Sequence, residues 1–553
     1  MARDQQFLLP PDMRDWLGAD HPVWLVTDVV AHYLDTSAFH ALRKRGGAGA
    51  AGYDPDMLVT LLIWAYANRV TSSRRIEQLC RTDVAFKVIC AGDVPDHATI
   101  ARFRAGFADA VPALFAQVLI LCARLGMGRV GVVALDGTKV AASASKAANR
   151  AGERLRQLAA EAVAAHAAKV AAEDGQFGQA RGDEVPAPLA SPRSKAAAAE
   201  RAERIRRALE GLQAERAEAG KEQAERDAKA REYVEAVAAG KAPAGPPRAG
   251  AEVAAARLRL EKAIAAQAAK VAEWQARRAA EDAAGVKRRP GGKKPFPPEA
   301  HSKVKKAREV LERAGARQAR RERRAVEKKG PGPVANVTDP DSRLMKTRNG
   351  FIQGYNAQNV ASEDGLIIAT ELTSDPADMA WFEPMTSKAG DAARLIASHH
   401  PAPAGASPDG GEGAGEGKGG SPIGLVLADA GYCSEENLTC AGPDRLIATG
   451  KHRDLENAAR GTGQAGASHG GCAATLMTQR LKTEQGIAAY RRRGHIAETP
   501  HGHIKHNMGF RQFTMRGKDK TAAEWRFAAA VHNLLKAISA GKLTAQALAG
   551  LPA

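Results

Sequence analysis

The 553-residue sequence predicts an α/β domain with a mixed sheet, preceded by an all-α segment and interrupted by a long helical insertion. Three observations carry this expectation. A β-branched apolar run near residue 130 ends at a charged residue, Asp136, and further runs of strand character return only after residue 350. The stretch between is dominated by Ala, Glu, Arg, Lys and Gln, which are strong helix formers. The charge is also segregated. The chain is net +18, yet residues 149–333 alone hold 41 basic and 26 acidic side chains, whereas residues 1–148 are net +2 and residues 334–553 net +1.

Taken in order, residues 8–125 read as helices. The apolar run 57–67 (MLVTLLIWAYA) follows Asp54-Pro55-Asp56, an N-cap with proline in the first turn. Ser72-Ser73 opens a shorter amphipathic piece, and Asp96 can cap 97–107 (HATIARFRAGF), which carries Arg102 and Arg104. Short helices with tight turns suit a helix-turn-helix-like unit or a plain helical bundle. Strands are expected at 130–140, 351–360, 365–371, 424–428 and 445–448, with helices over 378–398 and 434–440. An insertion explains the order better than two unrelated domains, because the strand near 130–136 would otherwise lack partners. Within it, residues 153–238 and 251–283 suit long solvated helices, with breaks at 175–192 and 240–250. Residues 287–329 hold 17 basic and 5 acidic side chains, which raises either an electrostatic clamp on DNA or, for the longer helices, a coiled coil. The Gly-, Pro- and Ser-rich stretch 401–421 reads as a flexible loop.

Several classes are excluded as expectations. No run of about 18 apolar residues suggests a membrane span, and the N-terminus lacks the apolar core of a secretory signal. Six cysteines without a CxxC pair argue against a disulfide framework or structural zinc and fit a reducing cytosol. The basic balance favours an anionic partner.

Three carboxylates stand out by position. Asp136 ends the first strand, Asp429 directly follows the apolar run 424–428 (GLVLA), and Glu498 lies in the helical stretch 490–505 (YRRRGHIAETPHGHIK). Carboxylates just past buried strands are held rigidly but open to a crevice. Such an all-oxygen set suits two hard cations, Mg²⁺ or Mn²⁺, that can serve phosphoryl transfer.

At this point the sequence resembles the bacterial insertion-sequence transposases of the DDE type. The resemblance rests on 53–57 (YDPDM), 72–77 (SSRRIE), 95–104 (PDHATIARFR), 136–139 (DGTK), 338–346 (TDPDSRLMK), 350–358 (GFIQGYNAQ), 429–437 (DAGYCSEEN) and 502–513 (GHIKHNMGFRQF). It covers residues 8–148 and 334–540. It implies a helical DNA-binding domain over 1–126, a ribonuclease-H-like catalytic domain over 127–148 and 334–545, and a helical, basic insertion over 149–333. It implies that Asp136, Asp429 and Glu498 bind two Mg²⁺ ions (Mn²⁺ also serving), with catalysis of DNA strand cleavage and transfer. Tyr490, Arg493, Glu498 and Lys505 match the family's helix signature. The Arg-to-Glu interval is five rather than the usual four, and Pro500 would end or kink a helix unless it sits in the first turn. Arg493, Lys505 and Arg511 then belong to a positive rim for DNA phosphates, and Arg102 and Arg104 to the N-terminal DNA contact. Glu484 and Glu524 are the fallback acids, and Trp525 either packs or stacks on a base. His495, His501, His503 and His506 look like a metal cluster, but helical spacing sends them to different faces. The implied partners are double-stranded transposon ends and target DNA and a second copy in a homodimer, with no membrane and a cytoplasmic, nucleoid-associated location. The alternative is a non-catalytic, domesticated DNA-binding relative.

Overall fold

The computed structural model describes residues 12–41, 52–177, 192–241, 243, 245, 247–285, 294–327, 333–401, 422–450 and 472–551. The expected loop 401–421 lies outside these beyond residue 401, and the expected break at 175–192 lies outside them from 178 to 191. The chain divides into two compact units, residues 1–149 with 336–553, and residues 150–335.

The first unit begins with helices set by their caps. Asp54 accepts from the Asp56 N–H at the start of Pro55–Ala67, and Asp96 accepts from Ala98 and Thr99 at the start of His97–Ala105. Ser72 stands at the N-cap of Ser73–Thr82 but makes no capping bond. The helix Phe107–Arg124 is the one described helix long and apolar enough, by composition, to cross a membrane, which the sequence reading had not expected. Ten of its 18 residues are buried, and it packs on the helix Lys518–Ser539. The N-terminal helices and that C-terminal helix share one apolar core, in which Tyr66, Phe107, Phe510 and Phe527 meet ring to ring. The core therefore continues across residue 126.

The sheet has six strands: β1 (Val132–Ala141), β4 (Arg343–Thr347), β5 (Gly350–Ser362), β6 (Ile367–Thr373), β7 (Leu425–Ala428) and β8 (Asp444–Ile447). Two shorter strands, β2 (Asn149–Ala151) and β3 (Val334–Asn336), pair with each other at the ends of the insertion. The main order is β4-β5-β1-β7-β8, with β6 on the same edge of β5 as β4. β5 runs antiparallel to β1, whereas β7 and β8 run parallel, so the sheet is mixed. Thirteen-residue β5 serves two neighbours end to end, β4 along 350–354 and β6 along 356–361. Gly354 is required there, because a Cβ would lie 2.3 Å from the Val140 carbonyl oxygen.

The second unit is helical: Gly152–Phe177, Pro192–Ala238, Glu252–Ala283 and Ser302–Glu327. Its apolar contacts are small. Ala230, Tyr233, Val237, Ala251 and Ala255 form one cluster between two of the helices.

Glu524 settles one question left by the sequence. It is wholly buried and accepts hydrogen bonds from the Tyr66 hydroxyl (3.0 Å) and from the Thr514 and Met515 backbone (3.0 and 3.2 Å). It ties three segments of one core and is no part of a metal site. Glu524→Ala is expected to lower unfolding free energy by about 3 kcal/mol, since four donors, the Thr514 hydroxyl among them, lose their acceptor. Urea denaturation measures this, and a loss below about 1 kcal/mol would remove the tie from the core's account.

Candidate active site

The parallel register of β1 and β7 pairs Val132 with Leu425 and ends with Leu135 opposite Ala428. The next residue of each strand is an aspartate, so Asp136 and Asp429 leave the pairing side by side. Strand alternation then sorts the DGTK stretch. Asp136 and Thr138 face the helical segment 484–507, where Arg493 lies 3.6 Å from Asp136 Oδ2 and Lys505 donates to the Thr138 hydroxyl and, at 2.8 Å, to the Lys139 carbonyl. Gly137 faces the other side, where a Cβ would lie 2.4 Å from Asp378 Oδ1 and 2.5 Å from Gln358 Nε2. Only glycine fits between two such aspartates.

Asp136 is largely buried, its side chain 19 % exposed, and its Oδ1 accepts the Gly137 N–H at 2.9 Å. Burial, opposed by the Arg493 guanidinium and reinforced by the charges of Asp429 and Asp378, pushes its carboxyl up to about 6. Asp429 Oδ1 accepts the Gly431 N–H at 2.8 Å and caps the short turn Ala430–Tyr432. Glu498 is 66 % exposed, with Arg493 Nη2 3.9 Å from its Oε1.

The segment bearing Glu498 is a helix of changing pitch: α over Glu484–Arg493, π over Gly494–Glu498, α over Thr499–Gly502 and π over His503–Asn507. A π turn closes over five residues rather than four. The five-residue Arg493–Glu498 interval is thereby absorbed, and both side chains reach the same place. Pro500 falls in the first turn of the α segment Thr499–Gly502, where its missing N–H costs least.

Tyr490 is buried beside Arg493, its hydroxyl 3.3 Å from the Ala428 carbonyl, and burial pushes its phenol up to about 12. Arg104 is buried rather than open to a phosphate, and its guanidinium donates to the Thr71 carbonyl and the Ser73 hydroxyl. Arg102 and Arg511 are exposed. Trp525 is fully buried and donates to Asn359 Oδ1 at 3.1 Å, which excludes stacking on DNA. Glu484 is exposed at a helix start. The histidines do not converge on one point. His503 meets His532 ring to ring, and His501 is buried 4.0 Å from Asp136, its imidazole lowered to about 3 by burial and by Lys505.

Asp378 is the residue that sequence reasoning missed. Asn356 and Gln358, alternate residues of β5, both donate to its Oδ1 at 2.7 Å. The Tyr432 hydroxyl donates to Gln358 Oε1, so one amide joins Asp378 to the turn that starts at Asp429. The signal was present: two amides at a spacing of two within the buried part of a strand need a polar partner.

Comparison with known proteins fits this geometry. Residues 11–106 match the family described as Transposase domain (DUF772), and residues 469–538 match the family described as Transposase DDE domain. No curated protein and no solved structure matches the chain. The class is thus that of DNA-mobilising proteins, and the two matches together support an insertion-sequence DDE transposase. Tyr490, Arg493, Glu498, Lys505 and Arg511 lie within the second match; Asp136 and Asp429 lie outside both.

A raised Asp136 carboxyl has a definite pH signature. Below about pH 3 the group is protonated in folded and unfolded chains alike. As pH rises towards and past 6, the unfolded chain ionises first and the folded state loses stability. With divalent ions chelated, Asp136→Asn should therefore stabilise the protein by up to about 3 kcal/mol at pH 8 and by only about 0.5 kcal/mol at pH 4. Urea unfolding at both pH values measures this, and an equal gain at the two would contradict the assignment.

Proposed function

We propose that this transposase cleaves DNA at the ends of its element through a carboxylate site made of Asp136, Asp429 and Glu498 on a ribonuclease-H-like sheet. The observation that carries the reading is the departure of Asp136 and Asp429 from adjacent parallel strands, faced by the helical segment that bears Glu498. The sheet supports it as well, since β5 is antiparallel and β7 and β8 are parallel to the central β1.

The donor set suits hard divalent cations. It is all oxygen, and the carboxyl of Asp136 is raised by burial and by the charges of Asp429 and Asp378. Asp136, Asp429 and Glu498 would hold two Mg²⁺ ions, with Mn²⁺ able to replace them. Bound there, the ions would lower the pKa of an attacking water or hydroxyl and offset charge on the leaving oxygen. The chain's own residues bind and orient. The Arg493 guanidinium, with Nη1 3.6 Å from Asp136 Oδ2 and Nη2 3.9 Å from Glu498 Oε1, brings positive charge to the place where a phosphate would meet the carboxylates. Lys505, fixed by Thr138 and the Lys139 carbonyl, contributes positive potential from the same helical segment. Arg511 is exposed for backbone phosphates, and Arg102 is the exposed arginine of His97–Ala105 for the terminal inverted repeats. Catalysis is positional and electrostatic, without a covalent protein intermediate. The 3′-hydroxyl freed by cleavage then attacks target DNA. Bringing two ends together calls for a homodimer, acting on the bacterial nucleoid in the cytoplasm.

The test is strand cleavage of duplexes carrying the element's ends, with Mg²⁺, by the full chain. Asp136→Ala, Asp429→Ala and Glu498→Gln are each expected to cut the single-turnover rate by at least about 10³-fold while duplex binding persists. Cleavage unaffected by the two aspartate changes would reject the site. Binding by the wild type without cleavage under either metal would favour the non-catalytic, domesticated alternative.

A further inference from the structure

The insertion carries a surface of its own. Its last helix, Ser302–Glu327, holds ten basic and four acidic side chains. Lys306, Arg313, Arg317, Arg320 and Arg324 recur at intervals of seven, four, three and four, which aligns them in one stripe along the helix. All five are exposed, while Val304 and Ala314, buried, lie on a different side.

What marks the stripe is its lack of counter-charges. The other long helices of this unit lace their arginines to glutamates three or four residues away: Arg226 with Glu222, Arg277 with Glu273, and Arg206 with both Glu203 and Glu210. That is how a solvated helix face neutralises itself. In the stripe, Arg313 has only a 3.7 Å contact with Glu309, and Lys306, Arg317, Arg320 and Arg324 have no ion pair among the described residues. A row of unmatched cations awaits an anionic partner.

From residue 306 to 324 the row spans about 27 Å at ~1.5 Å per residue. That is the length of about eight base pairs along one strand at ~3.4 Å each. The helix has no aromatic side chain on which an unpaired base could stack. Charge without stacking groups fits a duplex backbone rather than single strands.

We propose that this stripe is a sequence-independent docking surface for double-stranded DNA, separate from the carboxylate site; the proposal rests on the reading that the chain acts on DNA. Each of the four unpaired cations displaces a counterion on contact with a phosphate, so the surface is read in the salt dependence of binding.

The experiment titrates the full chain against a labelled duplex of arbitrary sequence at several salt concentrations. The variant Lys306→Gln/Arg317→Gln/Arg320→Gln/Arg324→Gln is expected to reduce the slope of log affinity against log salt by roughly 3 to 4, at about 0.9 per phosphate contact. Circular dichroism should be unchanged, since Gln is a good helix former. The pair Lys306→Gln/Arg320→Gln should lose about half as much, which keeps the test available if the fourfold variant misfolds. Replacing the glutamate-paired Arg206, Arg226 and Arg277 by Gln should change the slope by less than about 1. An unchanged slope in the folded stripe variants overturns the surface and leaves the transposase reading standing. Failure of the wild type to bind any duplex would overturn both.

Discussion

Leu135 of β1 lies opposite Ala428 of β7, and the candidate chemistry depends on that register. A slip of one residue would turn Asp136 towards Gln358 and Asp378 and present Gly137 to the helix instead. The register is held from both sides. Ala134, Ala361, Leu427 and Leu446 form an apolar layer with Tyr490 and Ile496 on one face. Val133, Leu135, Val360 and Val426 join the larger core on the other. Burial on both faces is what makes the placement of two aspartates specific, because no alternative register keeps both sets covered.

The two faces also divide the electrostatic work. On the helix side, one guidanium-bearing residue, Arg493, stands against Asp136 and Glu498. On the opposite side, Asp378 Oδ1 is held by two amide donors, Asn356 and Gln358. Asp429 and Asp378 thus act on Asp136, and the helical segment sets Arg493 and Lys505 against it. Gln358 links the sides of this arrangement, since its amide touches both Asp378 and Tyr432, which closes the turn begun by Asp429.

Much of this was legible in the residues. The apolar runs that end at Asp136 and Asp429 announce strands whose next residue is a carboxylate, and a charge that close to a buried strand needs a reason. The caps at Asp54 and Asp96 were equally plain. What could not be read was pitch and direction. The extra residue between Arg493 and Glu498 looked like a displacement until the π turn absorbed it, and helical wheels assume a constant pitch. Arg104 and Tyr490 share helices with exposed basic residues, but their own faces turn inward, where Ser73 and Ala428 meet them. Asp378 comes from a loop distant in sequence from its amide partners, so only the fold could join them.

The ends of the insertion have a consequence for how the chain folds. Asn336 Nδ2 donates to Asn149 Oδ1 at 3.0 Å and to the Ser145 carbonyl at 2.9 Å, so the chain leaves and re-enters the first unit at one clipped point. Between these residues lie 186 others, 150–335. Pairing β1 with β5 requires that loop to close, and the entropy of closure grows only with the logarithm of its length, by about 0.6 kcal/mol per doubling. Helices form faster than distant strands meet. An insertion that has already become helical presents a far shorter effective loop than its residue count suggests. The clip is where such a prefolded loop can be fastened.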